Sequence, residues 1–294
     1  GETNDHHSPG LAIGFIGFSS LATPGGWDNY EYILKRYRPR AVQFFAPSII
    51  ITREQQQPEM KQMSNNVQLA HEYGVKFIAQ IGSIEEAKEA IRHRVDAIVC
   101  QGSEAGGHGL RRELGNSAMA LASQASKLTK DMPVLAAGGI VSGKHVAAAL
   151  CYCDGVSIGT RYWACRESLG NERLQEGLAR AENSCDDVIR TSVFDQIQNE
   201  LTATKWPHPY DSVGALRNRT TEQWDGKSST ELQTAMVETK LLEEYKESRI
   251  KSDASVIATL AGEGVGEIDS VEGAYEITLR MEEEAVDTID RLRT

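Results

Sequence analysis

Long apolar runs are missing from this 294-residue sequence: no window approaches the roughly 20 residues needed to cross a bilayer. No membrane span is expected. Cysteine is scarce too, and the five present (Cys100, Cys151, Cys153, Cys165 and Cys185) form neither an even set nor a Cys-x-x-Cys pair. That argues against a disulfide framework and a thiolate metal site, and for reduced thiols in a cytoplasmic protein. Positive charge is in deficit, with 31 Lys and Arg against 42 Asp and Glu and a formal net charge of -11. No basic stripe is interleaved with the aromatics, which are 6% of the chain, so neither nucleic acid nor an anionic membrane surface is an expected partner. The start, through His6-His7, has no basic segment followed by an apolar one, so no signal peptide is expected there.

What is present is a repeated pattern. Short apolar runs at 11–18, 41–45, Lys76–Ile81, 97–100, Val134–Ala137 and 155–158 alternate with amphipathic stretches at 58–73, 84–93, 117–130 and 143–150. Runs that are continuously apolar, each followed by a helical period, indicate parallel strands covered on both faces. A doubly wound nucleotide-binding sheet would carry Gly-x-Gly-x-x-Gly after its first strand, but Gly14-Phe15-Ile16-Gly17 lies inside a strand-like run. The pattern therefore predicts an α/β fold of the TIM (β/α)8-barrel type.

The character changes after Arg161. Residues 166–182 read as a helix, 188–194 as a strand, 229–251 as one long helix, 262–266 as a glycine loop and 271–292 as a last amphipathic helix. The expected organisation is a barrel over 1–165, a mainly helical cap over 166–269 and a C-terminal helix over 270–294 packing on the barrel.

Three strand ends carry the chemistry. Gln101-Gly102-Ser103-Glu104-Ala105-Gly106-Gly107-His108-Gly109 follows the fourth apolar run, with His108 at the tip of a glycine-rich loop. Such glycines let backbone approach a ligand, and an imidazole there can exchange protons near neutrality. Ala136-Ala137-Gly138-Gly139-Ile140 and Ser157-Ile158-Gly159-Thr160-Arg161 end the next two strands. Barrels of this type bind phosphate at their last two loops and a helix N-terminus, which selects Gly139, Gly159 and Thr160 as an anion cradle.

These three segments, together with Arg190-Thr191-Ser192-Val193-Phe194-Asp195, Trp206-Pro207 and Leu260-Ala261-Gly262-Glu263-Gly264-Val265-Gly266, resemble the nitronate monooxygenase family, formerly 2-nitropropane dioxygenases, in its fungal type. The resemblance spans nearly the whole chain. It implies an FMN-dependent barrel that oxidises alkyl nitronates with molecular oxygen. It further implies that Gln80, Gln101 and Gly106 contact the flavin, that Gly138, Gly139, Ser157, Ile158, Gly159 and Thr160 hold its phosphate, and that His108 is the catalytic base or a donor to the nitro group. No metal is implied.

The chain departs from that family at its start. The run at 11–18 matches the family's third strand, so two βα units, including a Pro-Met segment against the flavin ring, have no counterpart. An open strand edge is then expected at 11–18, with homo-oligomerisation or association through it. Two rival readings stand beside the first: a flavin-dependent enoyl reductase reduced by a nicotinamide cofactor, and a flavin-free protein that is either a non-redox acid–base catalyst or a partner subunit.

Overall fold

A computed structural model describes residues 8–45, 48–52, 65–180 and 182–293. The chain divides into two compact units, one of residues 1–100 and 121–135, the other of residues 101–120 and 136–294. Of the amphipathic stretch at 58–73, residues 58–64 lie outside the described residues.

In the first unit the apolar runs become parallel strands β1 (Ser8–Ile16), β2 (Pro39–Phe45), β3 (Lys76–Ile81) and β4 (Ala97–Gln101), neighbours in chain order, followed by β6 (Val134–Ala137). The helices between them start where a side chain caps the first turn. Asn65 with Gln68 opens Asn66–Glu72, and Ser83 with Glu86 opens Ile84–Arg92, each as a reciprocal capping box. Aromatic rings from successive strands stack: Phe15 on Phe44 at 4.9 Å, and Phe44 on Phe77 at 5.0 Å, with Tyr30 edge-on to Phe44 at 5.4 Å. Phe44 and Phe77 are fully buried. Among the described residues β1 pairs only with β2, leaving Leu11 and Ile16 exposed. The run at 11–18 ends as a strand at Ile16, because Gly17–Ser20 turns into a short helix.

In the second unit β6 ends beside β7 (Gly155–Ser157). Three further strands, β5 (Gly107–Gly109), β8 (Val188–Thr191) and β9 (Ser212–Leu216), form an antiparallel sheet in the order β5-β9-β8. This corrects two expectations: the segment at 188–194 is a strand only to Thr191, and His108 sits on a short strand rather than at a loop tip. The expected helix at 166–182 is confined to Glu172–Leu178. The long helix at 229–251 is broken into Ser229–Glu238 and Leu241–Lys251, because Thr239 is extended (φ -121, ψ -179) and its hydroxyl donates to the Ala235 carbonyl at 2.6 Å. Both helices pack on β9: Leu232, Met236 and Tyr245 form one core with Val213, Ala215, Phe194 and Ile197. The last helix, Ala274–Arg293, lies against Gly143–Ala149 so closely that a Cβ on Gly143 would sit 2.3 Å from the Met281 carbonyl oxygen. The Gly143 N–H donates to the Glu284 carboxylate at 2.7 Å.

Candidate active site

The small antiparallel sheet places His108. It stands opposite Val213 in the β5–β9 ladder, and the Gln101 side-chain amide donates to the His108 carbonyl at 2.8 Å. The imidazole is held on two sides. Trp206 stacks on it at 3.8 Å between centroids and 14° between planes, and its Nε2 lies 2.8 Å from the Asp195 Oδ1. A carboxylate only accepts, so this bond uses an Nε2–H, and in the neutral ring the lone pair is then on Nδ1. The Asp195 side chain is 6% exposed against 21% for His108, and its Oδ2 is buried without a hydrogen-bond partner. The imidazole is therefore partly open to a substrate while its orienting partner is shielded from water.

The Ser103–Gly107 turn is shaped by one buried cation. Arg190, on β8, donates from Nε to the Ser103 carbonyl at 2.9 Å and from Nη2 to the Ala105 carbonyl at 2.5 Å. Its Nη1 reaches the carbonyls of Gly107 and Ser212, each at 3.3 Å. Burial lowers its pKa to about 10, against the pull of Glu104 and Glu263. The clamp explains a glycine: a Cβ on Gly109 would lie 3.0 Å from this guanidinium. Gly106 is likewise fixed by packing within the chain, since a Cβ there would stand 2.7 Å from the Ala261 carbonyl carbon.

Among the predicted cradle residues, Gly138 and Gly139 directly follow β6 at φ +131 and +66, conformations that favour glycine. Gly159 precedes the helix Thr160–Trp163 that follows β7, the strand next to β6. A Cβ on Gly159 would meet no atom within 4 Å, so backbone there faces open space. Ser157 ends β7, Ile158 links it to Gly159, and the Thr160 Oγ1 accepts from the Gly262 N–H at 3.0 Å, tying the 260–264 turn to this strand end. That turn also closes on β6, where a Cβ on Gly264 would lie 2.4 Å from the Gly139 carbonyl oxygen. A cavity of about 530 Å³ opens beside it, lined by Glu104, Gly138, Gly139, His145, Tyr152 and Glu263. Desolvation by burial raises the Glu104 pKa. Gln80 belongs to the first unit, where it pairs with Gln43 at 2.5 Å.

The second unit thus brings Gln101, Gly106 and His108 into one strand–turn–strand segment, and Gly138, Gly139 and 157–160 to neighbouring strand ends. Asp195, Trp206 and Arg190 acquire roles that residue types alone did not assign to them. The local signal for Asp195 is a lone acid in the run Val193-Phe194-Asp195-Gln196-Ile197, which requires a polar partner once buried.

Comparison with known proteins identifies the family and the fold. The nitronate monooxygenase family model matches residues 45–277. The chain is 30% identical to nitronate monooxygenase npaC of Metarhizium robertsii, covering 85% of this chain and 67% of that protein. It is 25% identical to nitronate monooxygenase of Neurospora crassa, over 97% of this chain and 74% of that one. Among solved structures, FabK from Thermotoga maritima superposes with a TM-score of 0.67 over 96% of this chain and 78% of its own, at 22% identity. The fold is thereby of the α/β TIM-barrel type, and among the described residues no helix is long and apolar enough to cross a membrane. By the family match and the relatives together, the chain belongs to the nitronate monooxygenase family of oxidoreductases.

Proposed function

We propose that this chain is an FMN-dependent enzyme that oxidises alkyl nitronates, and the nitroalkanes that ionise to them, with molecular oxygen. The observation that carries the reading is the His108–Asp195 pair of 2.8 Å under a stacked Trp206, on a chain of this family. The fit to a flavin phosphate rests on the strand ends: Gly159 faces empty space, Gly139 adopts the left-handed region, and the first turn of Thr160–Trp163 has N–H groups with no acceptor inside the helix. Gly138, Gly139 and the 157–160 segment would hold the phosphate, and Gln101 and Gly106 belong to the same proposed cofactor set. The flavin, when bound, supplies the electron transfer.

The chain's own residues supply the proton chemistry. His108 Nδ1 takes the carbon-bound proton of a neutral nitroalkane, a step that its geometry favours because Asp195 accepts from Nε2–H and stabilises the imidazolium that forms. Trp206 fixes the plane of the ring and covers one face from water. Asp195 acts through His108 and is a positioning residue.

Two measurements test this. The purified protein, alone and after incubation with FMN, should show flavin absorbance near one per chain. A protein that binds no flavin under either condition sinks the cofactor assignment. Turnover of a neutral nitroalkane and of the pre-formed nitronate is then compared in wild type and His108→Ala, beside thermal melts. Loss of a positioned base commonly costs about 10²–10⁴-fold, so that is the fall expected on the neutral substrate, with a smaller one on the anion. Equal losses on both substrates remove His108 from the base role. Reduction of the bound flavin by a nicotinamide cofactor, with no nitronate turnover, replaces this reading with an enoyl-reductase type.

A further inference from the structure

The second unit contains a groove of about 740 Å³ at the end of β9 away from His108. His108 pairs with Val213, and the groove begins at Leu216, three residues or roughly 10 Å further along the strand. Its lining carries Arg173, Arg180, Arg217, Arg219 and Lys251 against Glu176, Asp187 and Asp253. An excess of positive charge in one concave site stands out in a chain of formal net charge -11.

The cations divide by what already engages them. Arg219 pairs with Glu244, and Lys251 with Glu247 at 3.3 Å. The other three guanidiniums have no carboxylate partner among the described residues. Arg173 donates only to the Lys251 carbonyl at 3.5 Å, Arg217 donates from Nε to the Asp186 carbonyl at 2.9 Å, and Arg180 forms no ion pair. Two of the groove's own acids are turned to local work. Asp187 accepts from the N–H and hydroxyl of Ser184 at 2.8 Å each, and Asp253 from the N–H of Ser255 at 3.0 Å and its hydroxyl at 2.7 Å.

Thr259 adds an independent signal. It lines the groove, is 1% exposed, and its Oγ1 is buried without a partner. Buried hydroxyls are nearly always satisfied, and one left unmatched on the wall of a concavity calls for an explanation. Three guanidiniums outside any ion pair, with a waiting hydroxyl, are a recognition set for phosphate oxygens, because the planar fork matches that anion with paired N–H donors. The volume lies in the range of small-molecule sites, and Leu216 and Ala254 add apolar wall beside the charges.

We propose that this groove binds a phosphate-bearing organic anion of mononucleotide size with at least two negative charges, separately from the His108 site. Arg173, Arg180 and Arg217 contact the phosphates and Thr259 completes their hydrogen bonds.

The test is calorimetric titration of the whole chain at low ionic strength, after loading with one equivalent of FMN to fill the other phosphate site and removal of unbound FMN. ADP, inorganic pyrophosphate and citrate are the probes. ADP and pyrophosphate should each bind saturably at one per chain, ADP more tightly, and citrate at least tenfold more weakly than either. Arg180→Ala and Arg217→Ala should each weaken ADP binding tenfold or more, Thr259→Val a few-fold, and His108→Ala not at all, with melting temperatures confirming that each variant is folded. Absence of saturable ADP binding at millimolar concentration overturns the proposal, as does binding that neither arginine substitution changes. Citrate binding as tightly as ADP overturns the phosphate class, and pyrophosphate binding alone overturns the organic part of the ligand.

Discussion

The two units of this chain are held together by different physics. In the first, Phe15, Phe44 and Phe77 stack from consecutive parallel strands as an apolar, non-directional core, beside which Tyr30 donates to the Asn66 carbonyl at 2.8 Å. In the second, buried charged groups specify geometry: Arg190 donates to carbonyls of Ser103, Ala105, Gly107 and Ser212, Arg161 is 1% exposed beside Glu272, and Asp195 holds His108. An apolar stack tolerates small displacements at modest cost, whereas a buried polar network is strong only when every member is matched. The imidazole proposed as the base, His108, is accordingly held by such a network in the second unit.

The contrast can be broken at its two centres. Phe44 is 0% exposed and lies in contact with Phe15, Phe77 and Tyr30, so Phe44→Ala should destabilise by about 3–5 kcal/mol in denaturant unfolding. A loss below ~1 kcal/mol would mean that the stack is not what holds the first unit. Arg190→Ala should cost about 2–4 kcal/mol by a different route, leaving buried carbonyls without donors. Arg190→Lys sharpens the comparison, because an ammonium keeps the charge but cannot reproduce a fork that spans four carbonyls. Recovery of full stability by lysine would show that charge, rather than hydrogen-bond geometry, is what the turn requires.

The same difference explains how much could be read from residues alone. Strands of the first unit were legible because each is a continuous apolar run bounded by turn residues, and its partner is the next such run. Lys76–Ile81 and Val134–Ala137 fall within their expected bounds. The β5-β9-β8 sheet was not legible, since Gly107-His108-Gly109 has no strand propensity and its partner Ser212–Leu216 lies in a tract dominated by turn signals. Pairing across that separation in sequence leaves no local trace. His108 was legible as a functional candidate by its setting among glycines, but its partners were not, because Asp195 and Trp206 reach it only through that sheet. With Trp206 stacked on it and Asp195 bonded to it, His108 is packed, so His108→Ala removes contacts as well as the proposed base.

A smaller effect separates charge from shape within the second unit. Glu104 Oε1 accepts from the Ala118 N–H at 2.8 Å, while Oε2 is buried and unpartnered. Desolvation raises its pKa above the ordinary 4.5, a nearby Glu263 adds to the rise, and hydrogen bonds and Arg190 oppose it. An acid whose folded pKa is raised binds its proton more tightly in the folded state, so ionisation costs stability at pH values above the unfolded pKa and nothing below it. Glu104→Gln keeps an oxygen for the Ala118 N–H and removes the ionisation. The melting temperature of the variant should exceed that of wild type by about 1–3 °C at pH 7. The gap should close as the pH falls below 4.5, where both side chains are neutral. A variant less stable at pH 7 would show that the attraction to Arg190 outweighs the desolvation, making the carboxylate part of the clamp on the Ser103–Gly107 turn rather than a charge buried against its preference.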